Sequence, residues 1–94
     1  MAIAVKFVGA LRHFSGASEL FLHCKDCISI GEMINELVME VPELKKGLID
    51  QQLGDLRSNA LILVNDREIG VLNSLETKLN DGDEVVLVPV VHGG

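Results

Sequence analysis

Gly93 and Gly94 close this sequence after Val90, Val91 and His92, and they are its most reactive-looking residues despite having no side chains. Two adjacent glycines lose more conformational freedom on ordering than any other pair, so they anchor poorly. Lacking Cβ atoms, they can thread a narrow channel on a partner and leave a terminal carbonyl open to attack. A frayed end or an expression remnant is the competing reading of the dipeptide alone.

Cys24 and Cys27 form a C-x-x-C, a spacing shared by redox pairs and half-sites for metals. A structural zinc takes four thiolates, or two with two well-placed histidines. His13, His23 and His92 do not show a close H-x-x-x-H spacing, so the second half is missing and no metal is assigned. An iron–sulfur cluster needs four cysteine ligands, and this chain has two. Ordinary thiols, half-buried at a strand end, are the expected state.

The elements that must position these groups follow from residue periodicity. Ala2 to Val8 alternates, with Ile3, Val5 and Phe7 on one side and Lys6 marking the wetter side, which is the period of a half-buried strand. A polar connection, Gly9 to Ser18, leads to a second strand from Glu19 to Cys24, with Leu20 and Leu22 sharing one face; the pair reads as a hairpin. Ser29 and Glu32 then have capping-box spacing, with Ile28 and Met33 placed as a hydrophobic staple. Ile30, Met33, Ile34, Leu37, Val38 and Val41 recur at helical spacing until Pro42 stops the helix.

Between Glu43 and Ser58 the leucines suggest a short amphipathic turn or helix, interrupted by Gly47 and Gly54. Ala60 to Asn65 reads as a compact apolar strand, and Glu68 to Val71 as a short extended piece. Asp81-Gly82-Asp83 makes a turn into the last strand, Glu84 to Val88, with Pro89 where pairing should end. The order predicts an α+β layer structure with a helix across one sheet face.

Composition narrows the function. A chain of 94 residues with 48% hydrophobic content is enough for one domain and one modest core. No uncharged apolar run approaches the ~20 residues of a membrane helix, and Lys6 interrupts the first apolar stretch, unlike a secretory signal. A soluble, cytoplasmic protein is expected. The net charge of −6 disfavours phosphate contacts, and without Trp or Tyr there is little to stack on bases, so no direct nucleic-acid binding is expected.

Leu79-Asn80-Asp81-Gly82-Asp83-Glu84-Val85, Pro89 and the final Gly93-Gly94 together resemble the closing signature of the MoaD and ThiS sulfur carriers. Phe7, Leu11-Arg12 and Gly16 resemble the same family's first strand and following loop, and the helix starting near Ser29 falls at the corresponding place. The resemblance spans essentially the whole chain. It extends to the ubiquitin-related and small archaeal modifiers, whose endings are similar to His92-Gly93-Gly94. Two departures stand out: Pro89 is followed by Val90-Val91, where a second proline is commoner, and the stretch from Asn65 to Asp81 is longer.

The resemblance implies a ubiquitin-like β-grasp domain over residues 1–89, with a mixed sheet, and a flexible tail over 90–94. It implies that the Gly94 carboxylate is the reactive group, with Val91, His92 and Gly93 as the tail that presents it. His92 either contacts an activating enzyme or is simply solvated, and Arg12 either positions the first loop or is a surface cation. Adenylation by an ATP-using E1-like enzyme, followed by sulfur transfer from a donor, would give a C-terminal thiocarboxylate. The chain has no phosphate-binding G-x-x-x-x-G-K-[ST] loop, which agrees with activation by a partner. It is therefore expected to be a carrier and substrate without catalytic residues or a permanently bound cofactor. The acceptor is either the large subunit of molybdopterin synthase, with this chain as the small subunit, or tRNA thiolation, or lysines on target proteins.

One side of the sheet is also expected to meet a partner. If Val85 and Leu87 face the helix, Val86 and Val88 point outward near Val8 and Ile62, forming an apolar cluster. β-propensity alone is the competing reason for those valines.

Overall fold

In β1 (Ala2–Phe7), Ile3, Val5 and Phe7 are buried and Lys6 is exposed, the alternation a one-sided strand requires. This computed structural model describes residues 1–48, 60–70 and 74–89. β1 pairs antiparallel with β2 (Glu19–His23), as the hairpin reading expects. The connection between them holds a short helix, α1 (Ala10–Ser15), that the polar sequence conceals. Leu11 is its one buried residue, so no full helical period is written; Gly16, at φ 76°, ends it by donating its N–H to the Arg12 carbonyl at 3.0 Å.

After β3 (Ile28–Ser29) comes α2 (Ile30–Glu40), which starts at the expected capping box. The Glu32 N–H donates to Ser29 Oγ at 3.2 Å, and the Ser29 N–H donates to Glu32 Oε1 at 3.0 Å. Ile30, Met33, Ile34 and Leu37 form the buried face, and the helix stops before Pro42. A 3-10 turn (Pro42–Leu44) and α3 (Lys45–Leu48) follow, burying Leu44 and Leu48. The later part of the expected amphipathic segment, through Ser58, lies outside the described residues, as does Val71.

Replacing Ser29 by Ala is expected to cost about 1 kcal/mol in urea unfolding, the usual loss of a helix N-cap. The Glu32 carboxyl is held below its ordinary value, chiefly by the Ser29 backbone N–H and then by the Ser29 side chain. A depressed folded pKa adds stability above the unfolded carboxylate value and loses it as pH falls through the folded one. The urea midpoint of Glu32→Gln should therefore fall less on acidification than that of the parent chain.

The remaining strands are β4 (Ala60–Val64), β5 (Arg67–Glu68), β6 (Lys78–Leu79) and β7 (Glu84–Pro89). The main sheet runs β2-β1-β7-β4-β5; β7 is parallel to β1 and antiparallel to β4, and β3 pairs with β6 in a separate two-stranded sheet. The inner sheet face meets α2 in a single core that includes Ile3, Val5, Phe7, Ile62, Val85 and Leu87. The α+β, mixed-sheet expectation is thus met.

Candidate functional site

β7 is an inner strand, and its last residue, Pro89, is also the last residue the structure describes. Val91, His92, Gly93 and Gly94, the expected tail and its reactive carboxylate, lie outside the described residues. What the structure defines is the mount from which they continue.

That mount is clamped at both ends. At its start, the Asp83 carboxylate accepts from the Asn80 N–H at 2.7 Å and from Asn65 Nδ2 at 3.1 Å, while Asn65 Oδ1 accepts from the Glu84 N–H at 3.0 Å. The Ala2 N–H donates to Asp81 Oδ1 at 2.7 Å, and the Gly82 N–H donates to the Ala2 carbonyl at 2.9 Å. The polar signature before β7 therefore fastens it to β1 and to the β4–β5 turn. Asn65 and Asp66 occupy positive φ values of 49° and 71° in that turn, a conformation short polar side chains tolerate. At the far end, a Cβ on Gly9 would lie 3.2 Å from Pro89 Cγ, and Gly9 itself sits at φ 60°. A side chain there would be strained and would press on the strand end, so glycine suits both demands.

The outer sheet face leads to the same end. Val85 and Leu87 are fully buried, whereas Val86 and Val88 are half-buried and Val8 is 40% exposed. Val86 lies opposite Lys6 on β1, and continuing that parallel register by two residues sets Val8 beside Val88. The Val8 N–H donates to the Leu87 carbonyl at 3.0 Å, which holds the two strands together beyond β1.

The expected place of Ile62 is corrected. It pairs with Leu87 and is 2% exposed, so it belongs to the core. Its neighbours Leu61, opposite Val88, and Leu63, opposite Val86, are the half-buried residues that share the outer parity. The run from Ala60 to Val64 has no polar position to mark its wet side, which is why its parity could not be read from the sequence. Counting back from the tight Asn65-Asp66 turn was the available signal.

Charge frames this strip. Lys6 Nζ lies 3.0 Å from Glu84 Oε2, and the hydrogen bond and charge of Glu84 hold the Lys6 pKa above its ordinary value. Both side chains are well exposed, so the pair adds little to stability. A cleft of about 330 Å³ lies among Lys6, Val8, Arg12 and Val86, which places the Arg12 side chain at the edge of the apolar strip.

Cys24 and Cys27 are free thiols; Cys24 is half-buried, but Cys27 is exposed, and its Sγ donates to the Leu79 carbonyl at 2.9 Å. Among the described residues no group of three or more His, Cys, Asp or Glu is arranged to hold a metal ion. Among the same residues, no helix is long and apolar enough to cross a membrane.

Relatives share this frame along its whole length. The chain is 29% identical to small archaeal modifier protein 3 of Haloferax volcanii over 94 residues, and 33% identical to ubiquitin-related modifier 1 of Schizosaccharomyces pombe over 99 residues; each alignment covers all of both chains. It is 28% identical over 95 residues to the sulfur carrier protein CysO of Mycobacterium tuberculosis, again across both whole chains. The solution structure of small archaeal modifier protein 1 from Methanosarcina acetivorans superposes with a TM-score of 0.84 at 30% identity, covering 99% of this chain and 96% of that one. Such relatives are carriers and modifiers, not catalysts. With the ThiS family model matching residues 5–94, the chain belongs to the ThiS family of ubiquitin-like sulfur carriers and modifiers.

Proposed function

We propose that this protein carries sulfur on the carboxylate of Gly94. The observation that supports the reading best is the apolar strip of Val8, Val88 and Leu61, which runs up to the strand end at Pro89, five residues before Gly94. Five residues reach at most about 17 Å when extended, so a partner docked on the strip would find the carboxylate within one catalytic domain's span. Val8, Val86 and Val88 dock that partner, with Leu61 and Leu63 in place of Ile62.

The chemistry requires the partner. A carboxylate is anionic and resists nucleophiles, so an E1-like enzyme first joins its oxygen to the α-phosphorus of ATP and releases pyrophosphate. Sulfide supplied by a donor then attacks the same carbonyl, the bond to the AMP oxygen breaks, AMP leaves and a thiocarboxylate remains. Molybdopterin synthesis is the first client we assign, with this chain as the small subunit of the synthase, and the cytoplasm is its compartment.

Conjugation to lysines through Gly94, with or without a role in tRNA thiolation, is the second reading, favoured by relatives that are themselves modifiers. Both use one acyl-adenylate. Intact-mass measurement of the protein from its native cells separates them: replacement of one terminal oxygen by sulfur is expected for carriage. Lysines of other proteins bearing this chain's C-terminal segment in isopeptide linkage through Gly94, without any thiocarboxylate, would replace carriage by conjugation.

A further inference from the structure

The C-x-x-C is unused by any of this chemistry. Cys24-Lys25-Asp26-Cys27 joins β2 to β3, the chain bends at Lys25 and Asp26, and both cysteines line one cleft of about 510 Å³. Its two ends are tied down independently of the sulfurs. The Cys24 N–H donates to the Met1 carbonyl at 2.8 Å, and the Met1 amino group donates to the Cys24 carbonyl at 2.9 Å. Beyond Cys27, Ile28 is paired with Leu79. The two thiols thus sit on a short bent connection between fixed points.

The sulfurs differ in their surroundings. Cys24 is half-buried and packs against the core, whereas Cys27 is exposed and its thiol donates to the Leu79 carbonyl at 2.9 Å. A third metal ligand does not join them among the described residues. Such a pair on one cleft, one cysteine exposed and the other half-buried, suits thiol–disulfide exchange.

We propose that Cys24 and Cys27 form a reversible disulfide by exchange with low-molecular-weight disulfides of the glutathione type. The Cys27 thiol loses its proton to solvent, releasing the Leu79 carbonyl, and its sulfur attacks one sulfur of the small disulfide; that S–S bond breaks and one thiolate leaves. The deprotonated Cys24 sulfur then attacks Cys27 Sγ, expelling the second thiolate and closing the Cys24–Cys27 bond. The two protein thiols are oxidised by two electrons, the small disulfide is reduced to two thiols, and the protons given to solvent return to them. Ala2 pairs with His23, which sets this connection at the end of the sheet where β1 begins, while Pro89 lies where β1 ends. The couple therefore lies at the opposite end of β1 from Pro89, and it stands whether or not the proposed carrier function does.

The test equilibrates the full chain, its tail an ordinary carboxylate, in mixtures of reduced and oxidised glutathione. Samples are quenched in acid, alkylated and weighed intact. Both thiols should disappear together in one two-electron transition, with no glutathione adduct retained at equilibrium. Before oxidation, Cys27 should alkylate about tenfold faster than Cys24, because reaction follows access to the thiolate. In Cys24→Ser, Cys27 should instead retain a glutathione adduct, having no second thiol to displace it. Thiols that titrate one at a time in the parent chain, or stable adducts on both, would overturn the proposal.

Discussion

Deleting Gly94, or adding one residue beyond it, is expected to abolish adenylation while leaving the urea midpoint of the domain unchanged. The reacting carbonyl must stand at a fixed reach from the docked body, and one residue moves it by roughly 3.5 Å along an extended chain. A misplacement of only about 1 Å can slow a positioned reaction on the order of 10²-fold. Gly94 has no side chain to contribute to a core, so neither change is expected to disturb it. ATP–pyrophosphate exchange with the cognate activating enzyme reads the result. Full exchange by either variant would remove Gly94 from the chemistry.

Adjacent residues of β7 should fail in opposite ways. Leu87 is completely buried in the core, so Leu87→Asp must bury a carboxylate among apolar groups or expose the core. Either costs several kcal/mol against a total stability of about 5–15 kcal/mol, and most of the chain should unfold. In Val88→Asp the new carboxylate lies at a half-buried position on the outer face, where water still reaches it, and the urea midpoint should fall far less than in Leu87→Asp. Docking is where it should suffer: drying that charge against an apolar partner costs about 3 kcal/mol, on the order of 10² in Kd. Binding of the activating enzyme, measured beside urea unfolding for both variants, checks the pair. If folded Val88→Asp binds as well as the parent chain, the outer strip is not the docking surface.

The sequence was easiest to read where polarity alternates with a clear period. Lys6 marks the wet side of β1, Ser29 and Glu32 announce α2, and Glu84 sets the parity of β7, so these elements and their inward faces follow from residue order alone. Uniformly apolar β4 has no such mark, so residue order alone puts Ile62 on the wrong face. α1 was concealed for a related reason: six residues with a single buried side chain do not complete a helical pattern. Asp81 and Asp83 are visible as part of a family signature, but the hold of Asp81 on the Ala2 N–H comes only with the tertiary pairing of β7 and β1, and that of Asp83 on the Asn65 side chain only with β4 beside β7. Arg12 read equally well as a loop-positioning residue or a surface cation, because only the fold brings it to the edge of the strip beside Val8 and Val86.

The parallel pairing of β1 with β7 also decides how the domain bears a mechanical load. β1 begins at one end of the sheet and β7, running parallel beside it, finishes at the other, with Val5 beside Val85 and Phe7 beside Leu87. A pull on the tail against the amino end would slide the two strands lengthwise, straining their shared hydrogen bonds together instead of peeling them apart in turn. Antiparallel β4 holds the other flank of β7, so drawing β7 out of the sheet must also break a second row of bonds. Tension from any machine gripping the last residues therefore enters the fold along its central seam, where rupture needs many bonds to fail at once.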